Sequence, residues 1–155
     1  MNLYFRLLWV LFRAYKRTVL TPENLKNEIN TIVLPNDLDL NLHMNNGRYM
    51  TFCDFNRVDL FVRTGLAKLM VKNGWAPIVA HHTMTYLKPL SVFTRVKVTM
   101  EITHWDDKYF YSNHVFYKRG TKIAEGTSKS LVISKKEGRL APAEIVEQVK
   151  SYQGL

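Results

Sequence analysis

The chain has only one cysteine, Cys53, among its 155 residues. A single cysteine cannot form an intramolecular disulfide, which excludes a disulfide-stabilised scaffold. A chain of this length can bury a sizeable core without such cross-links, and we expect one domain. Because Cys53 lies among apolar residues at helical spacing, we interpret it as a small core residue rather than a nucleophile.

The sequence also lacks the run of roughly 20 apolar residues that a membrane-spanning helix needs. Its most apolar segment is residues 1–20, whose uncharged centre is bounded by Arg6 and Arg13. No small-residue cleavage site of the signal-peptide type follows it. We predict an amphipathic helix with two alternative roles: residues 3–17 lie in a membrane interface, or the helix packs against its own domain or a partner subunit.

Long basic runs are missing as well, although the chain carries 22 lysines and arginines against 13 aspartates and glutamates. The resulting net charge of +9 favours anionic partners such as nucleic acids, acidic membranes or phosphate-bearing small molecules. The basic residues are dispersed and no nucleic-acid-binding motif is present, so we do not predict nucleic-acid binding. We expect a cytoplasmic protein, with or without peripheral contact to a membrane.

Apolar residues recur at helical spacing from about residue 47 to residue 72, after a short strand predicted at residues 30–35. Gly65 is a predicted interruption of this helix, and Asn73-Gly74 its end. The helix is apolar on much of its circumference, so it needs cover from a sheet and from something else. A dimer is the simplest source of that cover.

Beyond Pro77 the pattern changes to alternating strands rich in β-branched and aromatic residues. Asp106-Asp107 and Arg119-Gly120 are the predicted turns of this antiparallel meander, and Pro142 starts a final helix. We therefore predict an α+β domain over residues 21–155, in which an antiparallel sheet wraps around the long helix.

Residues 36–46, directly before the long helix, concentrate carboxylates, amides and an imidazole. Leu38, Leu40, Leu42 and Met44 alternate with these polar residues, so we expect one side of the segment to be anchored in apolar surroundings. Asn45 or Asn46 is the predicted N-cap of the helix, since an asparagine side chain accepts from the free amides of a first turn.

A carboxylate near a helix start suits acyl-transfer hydrolysis, because the free amides polarise a carbonyl oxygen while the carboxylate attacks or deprotonates water. Asp39 or Asp37 would be the base or nucleophile, with oxyanion donors near Asn46 and Gly47. Asn41 could position water. His43 could orient that water, hold the carboxylate or share the proton transfer. These residue types are also ordinary turn and cap residues, and that structural interpretation stays open.

The histidines do not predict a metal site. His81 and His82 are adjacent and would point to opposite faces of a strand, so they cannot easily converge on one ion with His43. We expect no metal at these histidines.

Residues 37–49 resemble the motif that opens the central helix of hotdog-fold thioesterases, including the 4-hydroxybenzoyl-CoA and plant acyl-ACP types. The chain is similar to the thioesterase-like branch with a hydrophobic, basic amino-terminal helix. The resemblance covers nearly the whole chain, through Asp54, Arg57, Asp59 and residues 63–66, 74–77, 86–90 and 105–108.

This resemblance implies a five- or six-stranded sheet curled around the helix, and homodimers with the active site at the subunit interface; pairing into tetramers stays open. It implies fatty or aromatic acyl thioesters of CoA or acyl carrier protein as substrates, hydrolysed without a metal or an organic cofactor. Asp39 is then the nucleophile or base, with Asn41 and His43 beside it. The expected substrate-binding residues are Asn46, Gly47, Tyr49 and Thr85.

Thr85 departs from the plant enzymes, in which an acidic residue precedes the tyrosine of the strand after the helix. Asp54 is an alternative carboxylate, and its structural alternative is an ion pair with Arg57 one turn later. The leading hypothesis is an acyl-CoA or acyl-ACP thioesterase. The alternative is a catalytically weak acyl-thioester or lipid-binding protein at a membrane surface.

Overall fold

A computed structural model describes residues 2–155, with Asn2 described by its backbone alone. Met1, the first residue of the predicted amino-terminal helix, lies outside the described residues. The helices are α1 (Asn2–Tyr15), α2 (Asn46–Thr64), α3 (Leu66–Asn73) and α4 (Pro142–Gln153), with a 3-10 turn at Pro35–Asp37. The strands are β1 (Lys26–Ile32), β2 (Trp75–Tyr86), β3 (Arg95–Trp105), β4 (Phe110–Lys118), β5 (Thr121–Ser134) and β6 (Gly138–Leu140).

The six strands form one antiparallel sheet in the order β1-β3-β4-β5-β2, with β6 paired to β5. Strands β3, β4 and β5 are the predicted meander. Its first turn is closed by Asp106, whose Oδ1 accepts from the amides of Lys108 and Tyr109 at 2.7 Å. The second turn places Arg119 and Gly120 at φ 48° and 80°. The predicted α+β class is confirmed.

Helix α2 begins where the sequence predicted, with Asn45 as its N-cap. It ends at Gly65, which adopts a left-handed conformation with φ 81° and separates α2 from α3. Gly74, at φ 68°, ends α3. The predicted helix over residues 47–72 is therefore two helices, because glycine adopts positive φ without the steric cost of a side chain.

The curled sheet buries one side of α2. Phe52 and Tyr49 of α2 pack with Val98, Phe116 and Leu90 in the main core.

Helix α1 packs against α2 and supplies part of the additional cover that we expected from a dimer. Arg17, just after α1, lies 3.2 Å from Asp59 of α2, and Arg63 donates to the Thr18 carbonyl at 2.9 Å. None of the described helices is both long and apolar enough to cross a membrane.

The predicted strand at residues 30–35 was wrong in its bounds, since β1 begins at Lys26 and ends at Ile32. The first half of β1 consists of polar residues, so the apolar pattern did not indicate a strand there. Asn27 is buried, and its Nδ2 donates to the Asn56 carbonyl at 2.9 Å and to Asp59 Oδ2 at 3.1 Å. These bonds satisfy the Nδ2 group of a polar side chain inside the domain, which an apolar pattern cannot reveal.

Candidate active site

The segment before α2 folds into a tight turn. Leu38 and Met44 form an isolated antiparallel bridge, and the Asp39 amide donates to the His43 carbonyl at 2.8 Å. Between them, Leu42 adopts φ 58° and donates its amide to the Asp39 carbonyl at 3.1 Å. A non-glycine residue with positive φ is uncommon, and it marks a turn held by its surroundings.

Asp39 lies at the start of this turn. Its Oδ1 accepts the backbone amide of Asn41 at 2.8 Å and that of His43 at 3.3 Å. The turn therefore brings Asp39, Asn41 and His43 together, and it fixes the carboxylate through backbone amides. The Asn41 and His43 side chains are exposed.

The apolar anchoring of this segment was only half as extensive as predicted. Met44 is buried and Leu38 packs against the main core. Leu40 and Leu42 are 102% and 72% exposed, so their predicted burial was wrong. The turn between Asp39 and His43 breaks the alternation of an extended strand and directs both leucines outward.

Asp37, the alternative carboxylate, is fully buried and enclosed by basic groups. Its Oδ2 accepts from Arg6 Nη2 at 2.7 Å and from the Leu34 amide at 2.8 Å. Arg48 Nε lies 3.6 Å from its Oδ1. This arrangement suits a structural role for Asp37. No sequence pattern indicated Arg6 as the partner of Asp37, since it lies 31 positions earlier in the chain.

The start of α2 lies beside the turn. Asn45 Oδ1 accepts the Gly47 amide at 2.8 Å, and the Asn45 carbonyl accepts the Arg48 amide at 2.9 Å. The cap thus occupies the Gly47 amide that we expected to face a substrate. The neighbouring Asn46 amide is at the first position of the helix, where backbone amides have no acceptor within the helix.

Tyr49 and Thr85 differ from each other in burial. Tyr49 is buried, with its ring centroid 4.8 Å from that of Tyr86 and 5.1 Å from that of Phe116. Burial, followed by the neighbouring Tyr86, raises the pKa of Tyr49 to about 12. Thr85 is exposed, and as the neighbour of Tyr86 in an extended strand it points to the other face of the sheet.

Tyr86 is a residue that sequence reasoning missed as part of this region. Its hydroxyl lies 3.3 Å from the Asn46 carbonyl, and so it joins β2 to the first residue of α2. The motif included Tyr86, but only the curled sheet places it against the helix start.

Asp54 lies on α2 well beyond the turn, with its side chain 63% exposed. It forms the predicted ion pair with Arg57.

An apolar cavity of about 50 Å³ lies elsewhere, between the helices and the sheet. Its lining includes Leu60, Phe61, Met100 and Ile145 and none of Asp39, Asn41 or His43. It is therefore separate from the turn.

Comparison with known proteins places the chain in a family. The sequence model of the thioesterase-like superfamily matches residues 33–151 of this chain. Protein THEM6 of Xenopus laevis is 39% identical over 85 residues, which are 55% of this chain and 41% of that protein. The chain spans about half the length of the curated relatives it matches.

Solved structures share the fold at low sequence identity. The probable thioesterase YbaW of Escherichia coli has a TM-score of 0.71 at 20% identity, over 79% of this chain and 94% of that one. The SAV2348 protein of Staphylococcus aureus, solved in complex with CoA, has a TM-score of 0.70 at 18% identity, over 88% of this chain and 87% of that one. The hotdog fold is confirmed, and because the family model covers more than half of the sequence, the chain belongs to the thioesterase-like superfamily.

Proposed function

We propose that the protein is an acyl-CoA thioesterase and that Asp39 is its catalytic base or nucleophile. The observation that carries this proposal is the position of Asp39, whose Oδ1 is fixed by two backbone amides directly before the amino end of α2. A fixed carboxylate needs little rearrangement before it attacks a carbonyl carbon or deprotonates a water molecule. His43 and Asn41 lie in the same turn, where they can orient that water.

The amino end of α2 supplies the complementary charge. A helix start carries a partial positive charge and unpaired amides, which stabilise the oxyanion that forms when the thioester carbonyl is attacked. The Asn46 amide is the proposed donor, because Gly47 is already bound to Asn45. The carbon–sulfur bond then breaks, the thiol leaves with a proton, and water supplies the oxygen of the carboxylic acid.

CoA is the proposed carrier. The net charge of +9 attracts its phosphates, and the SAV2348 structure shows that a protein of this fold accommodates CoA. Leu40 and Leu42 extend an apolar surface next to Asp39, suited to the aliphatic part of an acyl-CoA. An acyl carrier protein substrate would use the same turn.

A homodimer paired through β2 completes this proposal. Strand β2 ends the sheet path, and within the described residues its outer edge has no paired strand. Ile78 and Val79 of this strand are 41% and 40% exposed. A long edge strand with exposed apolar residues invites pairing with a second copy. Such a pairing would bring the partner's surface next to β2 and α2; two dimers pairing into a tetramer would need another surface.

The second candidate is a weakly catalytic acyl-thioester or lipid-binding protein at a membrane surface, and α1 favours it. Helix α1 exposes a continuous set of apolar side chains: Tyr4, Phe5, Leu8, Trp9, Phe12 and Tyr15. A groove of about 1,320 Å³ runs between α1 and the exposed face of β1, β3 and β4. For location we propose the cytoplasm, with α1 in peripheral contact with a membrane.

Thiol release from a panel of acyl-CoAs, from short to long aliphatic chains and including an aromatic acid, tests the leading proposal. We expect turnover by the purified protein and a loss on the order of a hundredfold in Asp39→Asn, as for removal of a catalytic base. Asp107→Asn, in an exposed turn, is the matched control and should keep full activity. Saturable acyl-CoA binding without turnover would favour the binding protein.

A further inference from the structure

Three side chains of metal-ligating type converge between α2 and the sheet, apart from the turn at Asp39. Cys53 lies on α2, His82 on β2 and His114 on β4. One ligand atom from each lies within 4.8 Å of the other two. Around a bound zinc ion such atoms are roughly 3.3–3.6 Å apart, so a pair at the 4.8 Å limit would approach by about 1 Å on binding.

The two histidines present ring nitrogens without partners. His114 is fully buried, and its Nε2 lies 2.9 Å from the Ser128 hydroxyl. Its Nδ1, like the Nε2 of His82, is buried and has no hydrogen-bond partner within residues 2–155. Ligating histidines commonly donate their second N–H to a neighbouring acceptor, which is what Ser128 offers His114. An ion between the rings would satisfy both nitrogens.

Burial shifts the pKa of all three side chains. Burial, and then Arg57 and His82, lowers the pKa of His114 to about 3, which favours the neutral imidazole. Burial, with Arg57 next, also lowers the pKa of His82. Burial raises the pKa of the Cys53 thiol to about 12. The thiol therefore keeps its proton until an ion replaces it.

The charged neighbours select the kind of ion. Arg57 and Asp54 act on this cluster, with His81 also acting on His82, and the Arg57–Asp54 ion pair offsets part of the guanidinium charge. One thiolate with a monovalent cation adds no net charge to the buried site, whereas a divalent cation leaves a positive charge beside Arg57. Structural zinc sites also have four protein ligands as a rule, and this cluster has three.

We propose that Cys53, His82 and His114 bind one soft metal cation, with Cu⁺ preferred over Zn²⁺. Thiolate and imidazole are ligands that soft and borderline cations favour. The site joins α2 to β2 and β4, and it is independent of the thioester reaction proposed for Asp39. The sequence argument against a metal considered only His43, His81 and His82, whereas the fold selects a different set from three separate elements.

Anaerobic titration of the protein with Cu⁺, against a chromophoric Cu⁺ chelator, tests this site. We expect one equivalent per chain. Because Cys53 is the only cysteine, thiolate-to-copper charge-transfer absorption reports its bond to the ion without any mutation. A parallel titration with Zn²⁺ ranks the two ions, and tighter Zn²⁺ binding would overturn the stated preference.

Variants then locate the ion. Cys53→Ala and His82→Gln should lower Cu⁺ affinity by more than the roughly 10–100-fold loss that follows removal of an outer-shell partner. His81→Gln is the matched control, since His81 adjoins His82 but is exposed and is not one of the three ligands, and it should change the affinity far less than His82→Gln. Circular dichroism checks that each variant is folded. Absence of charge-transfer absorption in the wild type, or equal losses in His81→Gln and His82→Gln, would overturn the proposal.

Discussion

Arg6 Nη2 donates to Asp37 Oδ2 at 2.7 Å and so joins α1 to the segment that leads into α2. The two side chains are 12% and 0% exposed. The same Arg6 nitrogen lies 2.9 Å from the Ile32 carbonyl, and the Asp37 carbonyl accepts the Asn45 amide at 2.8 Å. One buried ion pair therefore links the amino-terminal helix to the N-cap of α2 and to the turn that carries Asp39.

Arg6→Ala should lower the free energy of unfolding by roughly 3–5 kcal/mol, because it leaves a buried carboxylate without its shorter ion pair. Thiol release should fall with it, since Asp37 holds the segment next to Asp39. Urea unfolding followed by circular dichroism measures the stability change. Arg13→Ala removes an exposed arginine from the same helix, and a loss of the same size in that variant would contradict the role assigned to the Arg6–Asp37 pair.

Local signals predicted α2 and its surroundings well. The signals were an N-cap asparagine, a helical apolar period and two glycines at helix ends. Each of them affects only the backbone of neighbouring residues, so each is recognisable in the sequence. The motif likewise predicted that Asp39, Asn41 and His43 share one short segment. These features depend on the backbone within a few positions.

Contacts between distant elements were not predictable in the same way. Arg6 reaches Asp37 only because α1 packs across α2, and Tyr86 reaches Asn46 only because the sheet curls. The outward direction of Leu40 depends on a turn whose geometry the apolar alternation did not reveal. In each case the pairing depends on tertiary packing rather than on spacing.

Gly65 gives a second prediction, about the junction of α2 and α3. A Cβ at Gly65 would overlap the Tyr152 ring of α4, and its φ of 81° adds strain for any other residue. Gly65→Ala should therefore destabilise the protein by more than the roughly 1–2 kcal/mol of a left-handed alanine. Thermal unfolding measures the difference.

Gly74→Ala is the matched control for Gly65, since it has a positive φ of 68° and no atom within 4 Å of the added Cβ. Gly74→Ala should lower the free energy of unfolding only by the strain of the left-handed backbone. In the double variant Gly65→Ala/Tyr152→Ala the overlap with the ring is removed, and the stability that Gly65→Ala loses beyond the backbone strain should be recovered. An equal cost for the two single alanine variants would show that the Tyr152 ring moves aside freely.

The exposed edge of β2 gives a third prediction. Val79→Lys should convert a dimer into a monomer, because it places like charges opposite each other where two copies of β2 pair. Sedimentation equilibrium measures the mass. Val71→Lys changes an even more exposed valine on α3 and should leave the dimer intact. A dimer that persists in Val79→Lys would place the interface elsewhere.

The exposed face of α1 gives the fourth prediction, on membrane contact. Trp9 is 59% exposed and stacks with Phe12 at 6.0 Å, and Lys16 Nζ lies 4.3 Å from the Phe12 ring. This face therefore combines aromatic area with a positive charge. Trp9→Ser should reduce binding to vesicles of phosphatidylcholine and phosphatidylserine by about tenfold or more, because burial of a large apolar side chain contributes at least about 1.5 kcal/mol.

Co-sedimentation with those vesicles measures the binding, and Trp105→Ser is the control because it removes a partly exposed tryptophan from β3. Higher salt should weaken binding by the wild type and by Trp105→Ser, since basic side chains attract the anionic lipid. If Trp9→Ser left vesicle binding unchanged but lowered the unfolding midpoint, α1 would be a structural cover for α2. The Arg6–Asp37 pair would then be its main link to the site, with no lipid involved.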